Sequence, residues 1–287
     1  MSAADHPEAA TMTVRRLLVD LQTPFPKRWH RNDFLTQYLN ALSMSFPVGE
    51  QFFIDSVRGA LPLLPDGAAH EALREEVTRF IGQEATHRHI HAQYNAQLEA
   101  QGLANHWQHW ATRRLQMARE MGTHPKNLLA VTCAYEHLTG TLAQAMLEHA
   151  DWLDGAQARM QTLWRWHASE EIEHSAVAFS LYQALGGSHG GRVRWYLHVL
   201  LTMALEATAQ TLSNLRRSGT LWRLATWRDG LSFFFGRRGA AWRCGPALLR
   251  YFRRDFHPLR EHAGTTGGMA MAQAWLEGNK SQWRAVR

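Results

Sequence analysis

The stretch His167-Ala168-Ser169-Glu170-Glu171-Ile172-Glu173-His174 (HASEEIEH) decides the fold. Wound as a helix, it puts His167, Glu171 and His174 on one stripe that continues through Met160, Trp164, Ala178, Leu181 and Leu185. A carboxylate and two imidazoles thus interrupt an apolar seam. The pattern recurs upstream, where Val77, Phe80, Glu84, His87, His91, Tyr94 and Leu98 share a face and Glu84-x-x-His87 repeats Glu171-x-x-His174. Two further stripes carry one glutamate each. Glu50 sits among Phe46, Phe53, Val57 and Leu61, and Glu136 among Leu129, Thr132, Gly140, Ala143 and Leu147.

Carboxylates in the middle of four apolar seams are wrong for ordinary folding. Burying one without a partner costs several kcal/mol, and several converging carboxylates repel one another as well. Two divalent cations would balance four negative charges. The i, i+3 spacing projects a glutamate and a histidine side by side from one turn, and Glu50 and Glu136 complete the set from the other two helices. One Glu from each of two helices with Glu-x-x-His from each of the other two is the ligand set of ferritin-like dinuclear carboxylate proteins. The gaps, 34 residues from Glu50 to Glu84 and 35 from Glu136 to Glu171, suit two antiparallel helix hairpins.

The surrounding sequence agrees with an all-α chain. Long segments rich in Ala, Leu, Glu, Gln, Arg and Met, with few β-branched runs, predict helices near 34–61, 67–101, 103–121, 125–152, 155–186, 191–217, 220–235 and 239–254. Pro65-Asp66-Gly67, Gly122 to Pro125 and Gly186-Gly187 mark breaks, and Pro47 predicts a kink or restart just ahead of Glu50. The expected organisation is an irregular segment over 1–30, a ferritin-like four-helix bundle over 31–190, and a basic, aromatic-rich helical extension over 191–287 packed on it.

Composition narrows the setting. The 287 residues are 45% hydrophobic and 20% charged, with two cysteines, too few for a disulfide framework or a thiolate cluster. The start lacks a signal pattern and no apolar stretch is long enough to span a bilayer, so a cytoplasmic protein is expected, peripheral to the inner membrane face if attached. Charge is unevenly divided. Residues 1–190 carry 15 Lys or Arg against 20 Asp or Glu, a net of −5, while residues 191–287 carry 16 against 5, a net of +11. In the basic part, arginines alternate with Trp222, Trp227, Phe233, Phe234, Phe235, Trp242, Tyr251 and Phe252, a pattern that suits an anionic membrane surface or an acidic ligand. The plainer reading is that the arginines are solvated and pair with the acidic two-thirds while the aromatics pack on the bundle. No nucleic-acid motif is present, and no nucleic acid is expected as a partner.

The segments LSMSFPVGEQFF (42–53), QEATHRHIH (83–91), YEHLT (135–139), HASEEIEHSAVAF (167–179) and YFRRDFHP (251–258) resemble the bacterial family of predicted metal-dependent hydrolases. The ligand pattern resembles ferritin-like di-iron enzymes, closest to the arylamine N-oxygenase type, in which an additional histidine on the last helix joins the usual ligands. Here that histidine is His167, four residues before Glu171. The resemblance implies metal ligation by Glu50, Glu84, His87, Glu136, His167, Glu171 and His174, with two iron ions as cofactors and manganese or zinc as substitutes. His91, Cys133 and His137 are candidates for positions around the ligands or in the substrate pocket, although Cys133 equally suits a small buried core residue and His137, about a quarter-turn from Glu136, falls off the metal face. The implied activity is oxidation of a small or lipid-like substrate with dioxygen, the electrons coming from a separate donor. Hydrolysis by a two-metal-activated water is the alternative, and non-catalytic metal binding a third. A homodimer is compatible with the sequence.

Overall fold

The computed structural model describes residues 12–262 and 267–286, and the chain is almost entirely helical. Residues 1–11 of the expected irregular segment, and 263–266 and 287 of the extension, lie outside the described residues. Four long helices position the glutamates: α1 (Asp33–Ala60), α2 (Glu71–Ala100), α4 (Pro125–Glu148) and α5 (Ala158–His174). Between them, α3 (His106–Glu120) packs on α1 and α7. After α5 come α6 (Val177–Ala184), α7 (His189–Arg217), α8 (Leu224–Phe235), α9 (Ala240–Arg250), the single turn α10 (Pro258–Glu261) and α11 (Gly268–Gly278).

The predicted starts and stops largely hold because local chemistry sets them. Asn32 accepts from Leu35 N at the start of α1, Asn105 from Gln108 N at α3 and Ser188 from Gly191 N at α7, each supplying an acceptor to an otherwise orphaned helix N–H. Gly122 and Gly186 take positive φ just past helix ends. Three features depart from expectation. The segment expected as one helix over 155–186 breaks after His174, where the Ser175 hydroxyl bonds the Ile172 carbonyl and Gly140 of α4 lets Ser175 approach closely. A Cβ on Gly140 would lie 3.4 Å from that of Ser175. Residues 12–30 are not merely irregular, since β1 (Arg15–Leu17) pairs antiparallel with β2 (Trp283–Ala285) and Leu17, Leu21, Phe25 and Trp29 are core residues. Helix α11 was not anticipated; its Ala272 and Leu276 are buried as it packs on α4 and α5.

Helix α1 runs through Pro47 without a restart; of the expected kink or restart, the restart is absent. Proline has no N–H for the carbonyl four residues back, that of Ser43. The side chain of Asn95 on α2 takes its place, its Nδ2 donating to Ser43 O at 2.9 Å. No helix among the described residues is long and apolar enough to cross a membrane.

Helices α7, α8 and α9 form a layer over α1 and α4. Within it, His137 of α4 stacks on Tyr251 at 4.7 Å, meets Phe256 edge-on and donates from Nε2 to Ala247 O. Burial holds His137 down at about 3 and His262 at about 4, both well below the ordinary 6.5. The unfolded chain binds protons at both positions below pH ~6.5 and the native one does not, so their contribution is full above that pH and is lost as pH falls toward 4. Each should cost about 2 kcal/mol of stability by pH 5. In thermal unfolding at pH 7 and pH 5, His137→Phe should lose visibly less stability on acidification than the parent chain; an unchanged pH slope would refute this account.

Candidate metal centre

Glu50 from α1, Glu84 from α2, Glu136 from α4 and Glu171 from α5 are all at most 3% exposed and face one another between the four helices. Both oxygens of Glu50, both of Glu84, Oε1 of Glu136 and Oε2 of Glu171 are buried without a hydrogen bond. His87 Nδ1 and His174 Nε2 are buried in the same condition. Orphaned buried polar groups are rare and costly. Others are scattered through the molecule, but these eight are carboxylate oxygens and ring nitrogens, the atom types that ligate metals, and they are gathered in one place. The donor set therefore fits a cation.

Two groups of ligand atoms each lie within 4.8 Å of one another: Glu84, His87, Glu171 and His174, and Glu50, His91 and His167. Glu171 joins the groups. Its Oε1 is 3.4 Å from His87 Nδ1, 3.6 Å from His174 Nε2 and 3.4 Å from His167 Nε2. Glu136 stands one step behind, its Oε2 accepting from His174 Nδ1 at 2.9 Å, while His174 Nε2 faces Glu84 Oε1 at 3.3 Å.

The groups behind these atoms select which ring nitrogen turns inward. His87 donates from Nε2 to Glu170 Oε2 at 2.9 Å, leaving Nδ1 toward the cluster. Glu170 is fully buried and held by Arg15 at 3.1 Å. Arg15 also reaches Glu173, which accepts from Gln83. The N-terminal segment lies close to α2 because position 82 is glycine; a Cβ there would sit 2.6 Å from the Val14 side chain. Arg15 was missed in the sequence because nothing in an irregular terminal segment signals contact with residues 155 positions away.

A longer relay orients His167. Asn95 Nδ2 must donate to the Ser43 carbonyl, so its Oδ1 accepts from Ser43 Oγ at 2.8 Å. The hydroxyl proton being spent, Ser43 Oγ accepts from His91 Nδ1 at 2.9 Å. His91 Nε2 is then an acceptor and takes the Nδ1 proton of His167 at 3.3 Å. The lone pair of His167 is left on Nε2, facing Glu171. Burial drives His91 well below its ordinary range and His167 to about 3, so both rings are neutral, as this relay requires.

With only the protein's own groups, the cluster balances its charge with protons. Burial pushes Glu50 and Glu84 well above the carboxylate range and Glu136 up to about 7. Burial opposes charge on His87 and His174, yet the adjoining glutamates raise His87 to about 10 and His174 well above its usual value. Glu171 is the exception: burial would raise it, but His167 and His174 draw it well below.

A cavity of about 480 Å³ opens onto Glu50 and Glu171. Its walls come from α1, α3, α4 and α7 and are mainly apolar, including Phe46, Phe52, Phe53, Trp107, Leu115, Leu128, Val131 and Met203. Two residues near Glu136 on α4 do not line the cavity. Cys133 is 2% exposed, belongs to the apolar cluster that includes Leu129, Ala130 and Ala134, and does not line the cavity. His137, about a quarter-turn past Glu136, faces the aromatic layer instead.

Two outcomes follow for this centre. Replacing groups that orient ligating histidines usually weakens metal affinity about 10–100-fold; Glu170→Leu and Asn95→Leu should each do so in a competition titration with a chromophoric chelator. Unchanged affinity in both would mean that the ring nitrogens are not held as described. Cation loading should also release protons and tighten from pH 6 to pH 8, since protonated Glu50, Glu84, His87 and His174 cannot bind. Isothermal titration in buffers of different ionisation heat counts those protons, and a count of zero would contradict the assignment.

No curated protein and no solved structure is matched by this chain. A family described as "predicted metal-dependent hydrolase" matches residues 13–262, a span that takes in all four glutamates, the histidines around them and the Arg15–Glu170 support. By that match, the chain belongs to the family of predicted metal-dependent hydrolases.

Proposed function

We propose that this chain is a metal-dependent enzyme built on a ferritin-like bundle, whose helices α1, α2, α4 and α5 hold two divalent cations beside an apolar substrate cavity. The observation that carries the proposal is the set of buried, unbonded carboxylate oxygens and ring nitrogens contributed from all four helices. Glu84, His87, Glu171 and His174 would hold one cation and Glu50 with His167 the other, Glu171 standing between them. Glu136 would orient His174 and offer its second oxygen, and His91 would serve His167 from behind. Carboxylates with a few imidazoles suit iron, with manganese or zinc as substitutes. When bound, two such cations supply Lewis acidity toward a water and an acyl or phosphoryl oxygen, or, as ferrous ions, electrons to dioxygen.

The chain's own contribution is placement and dryness. The cavity walls would hold the apolar body of a substrate and direct its polar end toward Glu50 and Glu171, the acidic groups at the cavity's inner end. Arg15 and Glu170 fix one imidazole, Glu136 a second, and the Asn95–Ser43–His91 relay a third, so little reorganisation of ligands is needed.

Hydrolysis is the first reading of the reaction, because the family's description names it. An ester or amide with an apolar acyl group fits the cavity lining. A second reading, dioxygen-dependent oxidation with electrons from a separate donor, is favoured by the paired Glu-x-x-His motifs with two further glutamates, a pattern that resembles di-iron enzymes. The inward Nε2 of His167 extends that likeness to the arylamine N-oxygenase type.

Metal analysis and turnover separate the readings. Loaded protein should retain two cations per chain, and Glu84→Ala with Glu171→Ala should retain none. Hydrolysis predicts cleavage of nitrophenyl esters of medium-chain acids without oxygen, in proportion to bound metal. Oxidation predicts oxygen uptake by the ferrous-loaded protein and no ester cleavage. Failure to retain any cation would overturn the proposal itself.

A further inference from the structure

Helices α7, α8 and α9 cover α1 and α4 with one side, and their opposite side is unusually apolar for a surface. On α7, Leu197, Leu201 and Leu205 recur every four residues and are each more than half exposed. Trp222 is 91% exposed and Leu224 84%, at the entry to α8. Phe235 and Trp242 are both 62% exposed and adjoin, Trp242 Nε1 donating to the Phe235 carbonyl. Leu231 on α8 and Leu249 on α9 are also exposed, at 60% and 68%. Isolated exposed apolar residues need no explanation, but a row of them across three adjacent helices does.

The charge around this face is equally one-sided. Arg223, Arg228, Arg250 and Arg253 pair with nearby carboxylates. Among the described residues, Arg216, Arg217, Arg237, Arg238, Arg243 and Arg254 make no ion pair, and all are exposed. Of these arginines only Arg223 reaches the acidic two-thirds, at Asp33, and the six without an ion pair are solvated. We infer that the outer face of α7, α8 and α9 docks on an anionic lipid bilayer, its leucines and tryptophans entering the interface and its unpaired arginines meeting the headgroups.

The two halves of the pattern select this occupant together. A second copy of the chain would set a face of net positive charge against itself. A nucleic acid would use the arginines and aromatics but leave the leucine row in water. A bilayer interface satisfies both, with tryptophan at the headgroup level and aliphatic side chains below it. No spanning helix is needed. The cavity borders this face: Trp195, His198, Val199 and Met203 line it from α7, in rows adjacent to Leu197, Leu201 and Leu205. An acyl chain could pass between the two without crossing water. That last link rests on the proposed function, whereas the docking does not.

The test is vesicle flotation of the metal-loaded full chain. It should float with vesicles of phosphatidylcholine mixed with phosphatidylglycerol and far less with phosphatidylcholine alone. Near a charged membrane each arginine counts for roughly a fivefold change in partition, so Arg237→Glu with Arg238→Glu should reduce binding by more than about tenfold. Trp222→Asp with Leu224→Asp should do likewise while leaving metal content unchanged, since both side chains are exposed. Absence of flotation, indifference to lipid charge, or full binding by both double variants would overturn the inference. So would a concentration-dependent dimer, or tighter binding to a single-stranded oligonucleotide, that the Trp222 and Leu224 changes abolish. Because no turnover is read, a failed catalytic assay leaves this result intact.

Discussion

Charge compensation in a dry interior is the constraint from which the rest of this molecule follows. Four carboxylates from separate helices meet where water does not reach, and most of their oxygens lack any hydrogen-bond donor. A low dielectric raises the cost of each bare charge and the repulsion between them. Protons borrowed by Glu50, Glu84, His87 and His174 relieve that repulsion only in part, since unbonded lone pairs remain. Divalent cations would relieve both terms, which explains why such a cluster can sit among Phe46, Phe53, Phe80 and Tyr94 without unfolding its surroundings.

Orientation of the ligating rings is controlled from outside the cluster, by three independent devices. One begins at Pro47. Lacking an N–H, it frees the Ser43 carbonyl, which orders Asn95, which in turn fixes the Ser43 hydroxyl, His91 and finally His167. A residue that usually interrupts a helix here dictates a tautomer about four side chains away. The second device is the Glu170 carboxylate, buried against His87 and anchored by Arg15 from the N-terminal segment. The third is Glu136 against His174. Each turns one ring nitrogen toward the glutamates, so the rings are oriented before any cation arrives, and on His87 and His174 that nitrogen gives up its proton on binding.

The remaining helices divide between enclosing this centre and presenting a surface. Helices α3 and α7 wall the cavity that reaches Glu50 and Glu171. The same α7 turns Leu197, Leu201 and Leu205 outward. One helix thus borders both the cavity and an apolar exterior, and a 3.6-residue repeat allows both because different rows of side chains face different ways.

The sequence by itself determined the long helices up to α9, apart from the break between α5 and α6, their order, and the glutamates and histidines that share their apolar stripes. Those follow from periodicity along one chain: a 3.6-residue spacing, caps at Asn32, Asn105 and Ser188, and Glu-x-x-His projecting from a single turn. It also determined that His167 shares the stripe of Glu171. What only the tertiary structure decided are relations between distant segments. Arg15 reaching Glu170, Asn95 repairing the break at Pro47, and α11 packing on α5 have no local signature, because their partners lie up to 155 positions away. The side toward which Cys133 and His137 turn was likewise set by packing: residues within a turn of Glu136 differ by tens of degrees around the helix, and neighbouring elements decide which angle is core, cavity or aromatic layer. Spacing along the chain is a local property, whereas burial is a property of the assembled fold.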